Sequence, residues 1–176
     1  MFEDRQLVNK VKNGDKEALC RIYQKYGDSL LTMAVAIVCD RGLAEDILHD
    51  VFLMFVKDID NFVLTGRLKQ YLARCVANRA VDLSRSRKNH MVRLDNLEPV
   101  NADAPLPQQV AEEREELQKL EDALNQLPDE QRQVIMMHIH GQMRYRQIAL
   151  CQGASINTIQ GRYRYGMKKL KTLLIG

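Results

Sequence analysis

The sequence predicts an all-α fold of two helical domains joined by a flexible linker. Apolar residues recur at spacings of three and four along most of the chain, the signature of helices with one buried face. Strand-like alternation is nearly missing, and only 9 Gly and 4 Pro punctuate the 176 residues. Pro99, Pro105 and Pro107 fall together in "HMVRLDNLEPVNADAPLPQQ", a stretch that cannot continue a helix and is too long for a loop inside a compact domain. These observations divide the chain into residues 1–89, a linker at 90–110, and residues 111–176.

In the first part the spacing predicts helices over about 4–12, 15–38, 43–59 and 67–87. "NGD", ending in Asp15, separates the first two, with Asp15 as N-cap. Gly42 and Gly66 precede the third and fourth. The third helix turns Ile47, Val51, Phe52, Phe55 and Ile59 inward. Asp46, His49, Asp50 and Leu53 share another stripe, an acidic ridge with one apolar residue that suits a basic protein surface. The fourth helix carries Arg67, Lys69, Arg74, Arg79, Arg85 and Arg87 against Asp82 alone. Arg74, Asn78 and Arg85 are placed to follow a nucleic-acid backbone, and Tyr71 beside Arg67 and Asn78 suits an unstacked base. Between these helices, "DNFVLTG" is a loop within reach of a single strand.

In the second part the pattern predicts helices over about 111–126, 129–139, 144–151 and 156–173, with Pro128 at the start of the second. The last two form a helix–turn–helix. Ile148, Ala149 and Cys151 point inward, Gly153 makes the tight turn, and the Ser155 hydroxyl caps the next helix. That helix buries Ile159, Tyr163, Gly166, Leu170 and Leu173. It presents Asn157, Thr158, Gln160, Gly161, Arg164 and Lys168 on its other face. Asn157, Thr158 and Gln160 suit base edges in a major groove, and Arg162, Arg164, Lys168 and Lys169 suit phosphates. From Gln131 to Gly176 the chain has Arg and Lys but no Asp or Glu, although 26 basic residues meet 23 acidic ones overall. A locally sorted positive field points to a polyanion, so nucleic acid, read as duplex DNA by the helix–turn–helix, is the expected partner.

Other functions are disfavoured. The longest apolar run, Leu30 to Cys39, is too short to span a bilayer, so no membrane insertion is expected. The N-terminus has acids and no apolar stretch of the secretory kind, which places the protein in the cytoplasm. Cys20, Cys39, Cys75 and Cys151 have no ligand spacing and read as buried, reduced thiols. His138 and His140, two apart on a helix, point to different faces and make a poor metal pair. No nucleophile–base pair or phosphate-binding Gly loop is present. Neither catalytic residues, metal nor cofactor is therefore expected.

Four segments resemble the sigma-70-type RNA polymerase sigma factors, in particular their small extracytoplasmic-function group. They are "AEDILHDVFLMF", "YLARCVANRAVDLSR", "ALNQLPDEQRQVIMMHIHGQMRYRQIA" and "SINTIQGRYRYGMKKL", in family order, with only the linker unmatched. The resemblance implies a first domain that docks on core RNA polymerase and melts the minus-ten element, and a second that reads the minus-thirty-five element as duplex. It puts the polymerase contact at Asp46, His49 and Asp50, with Leu53 on the same stripe. The loop from Asn61 to Gly66 would capture a flipped base. Arg67, Tyr71, Arg74, Asn78, Arg79 and Arg85 would serve the minus-ten element, and Ser155, Asn157, Thr158, Gln160, Gly161 and Arg162 the minus-thirty-five element. It also implies an anti-sigma partner. Tyr71 stands where the family has Trp, Gln147 where it has Glu, and Gly161 and Gly166 where it has Ser and Ala. A stand-alone helix–turn–helix regulator is the competing reading.

Overall fold

The computed structural model describes residues 2–91 and 111–175. Among them are helices α1 (Phe2–Lys12), α2 (Lys16–Val38), α3 (Arg41–Lys57) and α4 (Leu68–Met91), then α5 (Ala111–Asn125), α6 (Asp129–Ile139), α7 (Tyr145–Gln152) and α8 (Ile156–Ile175). One 3₁₀ turn, Ile59–Asn61, follows α3, and no strand occurs among the described residues. The expected linker lies outside them from residue 92 to 110.

Local chemistry sets the helix ends. The Asp15 carboxylate accepts from the Ala18 N–H at 3.1 Å and starts α2. Asp40 does the same for Leu43 at 3.0 Å, so α3 begins before Gly42 rather than after it. The α3 periodicity overran the helix: α3 stops at Lys57, and Ile59 is buried from the 3₁₀ turn instead. Gln147 accepts from the Arg144 N–H at 2.8 Å and caps α7, the part a Glu there would play. Gly153, at φ 58°, makes the left-handed turn, and Ser155 Oγ accepts from the Thr158 N–H at 3.0 Å to start α8.

Helix α2 is the spine. Ile22, Leu30, Met33 and Ile37 are fully buried between α1, α3 and α4 on one side and α6 on the other. Each such side chain contributes roughly 1.5–3 kcal/mol when taken from water. The apolar cluster runs without a break from this first half into Val134, Met137, Met143, Ile148 and Ile159 of the second. A smaller cluster of Ala123, Leu127, Ile135 and Leu170 joins α5 and α6 to α8.

The two halves are therefore packed on one another, and polar contacts fix how. Arg132, 5% exposed, donates through Nε to the Ala36 carbonyl at 2.9 Å and through a terminal nitrogen to Cys39 Sγ at 2.9 Å and Asp129 at 2.9 Å. This guanidinium sits at the C-terminal, partially negative end of α2. Gln70 donates to the Gln142 carbonyl at 2.9 Å, and Arg85 to the Gln152 carbonyl at 2.8 Å. At Gly141 the backbone comes so close that a Cβ would stand 2.8 Å from Met33 Sδ and 3.3 Å from Ala73 Cβ.

The expectation of buried thiols is corrected in part. Cys20 and Cys39 are exposed, because Cys20 falls on the outer face of α2 and Cys39 caps its end. Cys75 is half-buried and Cys151 buried, and burial pushes both thiols up, Cys151 to about 11.

Candidate nucleic-acid and polymerase interfaces

The loop after the 3₁₀ turn and the start of α4 enclose a cleft of about 130 Å³. Loop residues Phe62 to Gly66 form one wall, and Arg67, Gln70, Tyr71 and Arg74 of the α4 side form the other. Phe62 fixes the wall: its ring lies 4.6 Å from Tyr71 and 5.2 Å from Phe55. The Arg74 guanidinium stands 6.0 Å from the Tyr71 ring centre. Burial raises the Tyr71 hydroxyl above its ordinary value, so at neutral pH the ring is an uncharged stacking surface. An aromatic floor between two exposed guanidiniums suits an unstacked base and its phosphates. Arg67, Tyr71 and Arg74 are thus brought together, whereas Asn61 lies outside this lining.

Asn78 continues the exposed row one turn beyond Arg74. Arg79 leans the other way and lies 3.8 Å from Asp50 of α3. Arg85 is engaged with α7 through the Gln152 carbonyl. Sequence reasoning missed Gln70 and, from the other half of the chain, Gln147, which also lines the cleft. Local periodicity carries no signal for Gln147, since α7 approaches α4 only through tertiary packing.

On α3 the stripe of Asp46, His49, Asp50 and Leu53 is exposed as expected. Met54 at 63% exposure and Val56 at 37% extend it, so the ridge carries more apolar surface than the spacing suggested. Exposed apolar residues rimmed by acids are suited to a protein partner with basic and apolar groups.

On α8, Asn157, Thr158, Gln160, Arg164 and Lys168 are exposed, and Ser155 lies exposed at its start. Ile159, Gly166 and Leu170 are buried, with Tyr163 and Leu173 partly so. Two basic residues differ from the exposed row. Arg162 is half-buried, donates to Gln152 Oε1 at 2.8 Å and stands 3.9 Å from Glu130. Lys169 donates to the Gln126 carbonyl at 2.7 Å, beyond the end of α5. Gln152 is itself buried and donates to Gln133 Oε1 at 3.0 Å, so a polar chain underlies α8 and sets its angle. Gly161 has nothing within 4 Å of where its Cβ would be, whereas a Cβ at Gly166 would stand 2.9 Å from Ile135 Cδ1. Gly166 therefore permits close approach of α8 to α6.

His138 donates through Nδ1 to the Met143 carbonyl at 2.9 Å and stacks on Tyr145 at 4.7 Å, a packing role. His140, half-buried, is held below its ordinary pKa by burial and by the charge of Lys69 across the interface. Among the described residues no group of His, Cys, Asp and Glu is arranged to hold a metal, and no helix is long and apolar enough to cross a membrane.

Residues 22–90 match the family described as Sigma-70 region 2, and residues 117–170 match Sigma-70, region 4. Among named relatives, the RNA polymerase sigma factor NccH of Alcaligenes xylosoxydans xylosoxydans is 25% identical over 175 residues, covering 97% of this chain and 94% of that one. The ECF RNA polymerase sigma factor SigW of Bacillus subtilis (strain 168) is 22% identical over 179 residues, covering 97% and 96%. Two solved structures share the fold. CnrH in complex with the cytosolic domain of CnrY has a TM-score of 0.61 at 20% identity, over 98% of this chain and 97% of that one. The sigma factor RpoE in complex with the anti-sigma factor NepR from Bartonella quintana has a TM-score of 0.65 at 23% identity, over 88% and 94%.

Proposed function

The chain belongs to the sigma-70 family of RNA polymerase sigma factors, in its extracytoplasmic-function group, and from that premise we propose how its surfaces divide the task. It binds core RNA polymerase and directs it to promoters; polymerase performs the chemistry, and this chain supplies recognition. In this reading residues 1–89 hold the enzyme and open the minus-ten element, and residues 111–176 read the minus-thirty-five element as duplex. The ridge of Asp46, His49, Asp50 and Leu53, widened by Met54, meets core polymerase. The cleft takes one unstacked base on Tyr71, with Arg67 and Arg74 at its phosphates, and Asn78 extends the track. Asn157, Thr158 and Gln160 read base edges, while Arg164 and Lys168 hold phosphates. Arg162 orients the recognition helix through Gln152 rather than touching DNA.

The observation that carries this division is the cleft itself: an aromatic floor flanked by two arginines lies on the same chain as an exposed polar and basic helix–turn–helix. An anti-sigma partner follows from the relatives solved with CnrY and NepR. The cytoplasm, where polymerase works, is its site of action.

Run-off transcription with purified core enzyme and a randomised promoter pool tests the reading. Supplementing core with this chain should start RNA on a selected subset of templates. Asp46→Lys with Asp50→Lys should abolish core binding while duplex binding through α8 survives. No transcripts from any template would overturn it.

A further inference from the structure

Helices α4 and α7 pack side by side where the two halves meet, and each brings one free cysteine to that contact. Their register follows from two fixed points. Tyr71 of α4 and Gln147 of α7 line one cleft. Further along both helices, Arg85 donates to the Gln152 carbonyl. The helices therefore advance from the cleft in the same direction. Cys75 stands four residues beyond Tyr71, and Cys151 four residues beyond Gln147, one turn on in each. Cys151 belongs to the buried apolar cluster that joins the halves, and Cys75 packs against that cluster. We propose that Cys75 and Cys151 are a dithiol pair whose oxidation to a disulfide ties the two halves together.

The two thiols differ, and the difference orders the reaction. Burial pushes Cys151 up to about 11, and negative charge at Cys75 raises it further, so the sulfurs are within electrostatic reach of each other. Burial also raises Cys75, but the Tyr71 hydroxyl donates to its sulfur and the Arg74 charge acts on it, and both favour the thiolate. Cys75 is half-buried, whereas Cys151 is buried. Cys75 is thus the attacking thiol and Cys151 the resolving one. The oxidant is a peroxide. The Cys75 thiolate attacks one peroxide oxygen, so an S–O bond forms as the O–O bond breaks. The departing hydroxide takes up the thiol proton and leaves as water. The Cys151 sulfur then attacks the Cys75 sulfenic sulfur. The S–S bond forms, the S–O bond breaks, and the Cys151 proton leaves with that hydroxide as a second water. Two electrons pass from the sulfurs to the peroxide.

A tied chain cannot serve both promoter elements. By their positions the minus-thirty-five and minus-ten elements lie about 25 base pairs apart, roughly 85 Å of duplex. Gln147 of the helix–turn–helix lines the cleft beside Tyr71, so the packed halves hold their two proposed DNA surfaces side by side. This consequence rests on the promoter reading above; the bond itself does not.

The test uses the full chain with Cys20→Ser and Cys39→Ser, which removes the two exposed thiols on α2 and at its end. It is treated with hydrogen peroxide, freed of peroxide, and digested with trypsin without reduction. Mass spectrometry should show peptides 75–79 and 147–162 joined, lighter by two hydrogens than their sum and parted by dithiothreitol. Run-off transcription with core polymerase should be lost on oxidation and return with dithiothreitol. Adding Cys75→Ser, which keeps a hydroxyl beside Tyr71, should give a chain that starts RNA before and after peroxide alike. Absence of the joined peptides overturns the pair. A joined chain that starts RNA as well as the reduced one overturns the tie as a switch, as does peroxide inactivation of the Cys75→Ser chain. A reduced chain that starts no RNA overturns the promoter reading instead, and the mass spectrum still decides the bond.

Discussion

Replacing Arg132 by Ala should loosen one half of the molecule from the other. The guanidinium makes two bonds across the interface, to the Ala36 carbonyl and to Cys39 Sγ, and one within its own helix to Asp129. A hydrogen bond from a charged donor contributes about 1.5–3 kcal/mol. The carbonyl bond counts in full and the sulfur bond at a discount, since thiol sulfur is a weak acceptor. The Asp129 bond does not cross the interface. The interface should then lose about 3 kcal/mol, which is about a hundredfold in the ratio of packed to separated halves. Small-angle scattering reads this directly. A compact chain of 176 residues should have a radius of gyration of about 16 Å. The Arg132→Ala protein should exceed it while circular dichroism reports unchanged helix content. Arg132→Lys should fall between, because an ammonium reaches the Ala36 carbonyl without the fork that also reaches Cys39. Unchanged scattering curves for both variants would refute the reasoning.

Further outcomes separate individual residues. Gly161→Ala should raise the melting temperature, by about 1 kcal/mol of helix propensity into open space, whereas Gly166→Ala should lower it by forcing α8 off Ile135; calorimetry giving the same sign for both would contradict the packing described. Arg164→Ala with Lys168→Ala should weaken holoenzyme binding to all duplexes alike and reduce the salt slope by about 1.8, checked by titration over ionic strength. His140 has a folded pKa below the ordinary 6.5, so the folded state resists its protonation. Its share of stability is complete above pH 6.5, falls as the pH drops below that value, and levels off below the folded pKa. Denaturant midpoints at pH 7.5 and 5.5 should differ less in His140→Asn than in the wild type.

Much of the helical framework was legible because it depends on near neighbours. Asp15, Pro128, Gly153 and Ser155 each act within a few residues, and each starts or ends a helix where their chemistry predicted. The exposed row on α8 was legible for the same reason, since its periodicity is set by one helix against one core. Ile59 misled because apolar spacing does not distinguish a helix from the turn that follows it. Basic side chains misled more often. Arg85, Arg132, Arg162 and Lys169 all read as positive charge, yet each is turned toward a carbonyl or an amide of another element. For Arg85, Arg132 and Lys169 those partners lie 43 to 96 residues away, and no local window contains them. The same distance hid Gln147 from the cleft beside Tyr71 that it helps to line.

Gln152 is the point at which both proposed nucleic-acid surfaces are referenced to one residue. Its main-chain oxygen holds Arg85 of α4, and its side chain holds Arg162 of α8 and Gln133 of α6. Arg85 cannot swing out to a strand without freeing that oxygen, and α7 cannot tilt without dragging the pitch of α8. While the halves stay packed, α4 and α8 are geared together, and parting them resets the aim of both in a single motion.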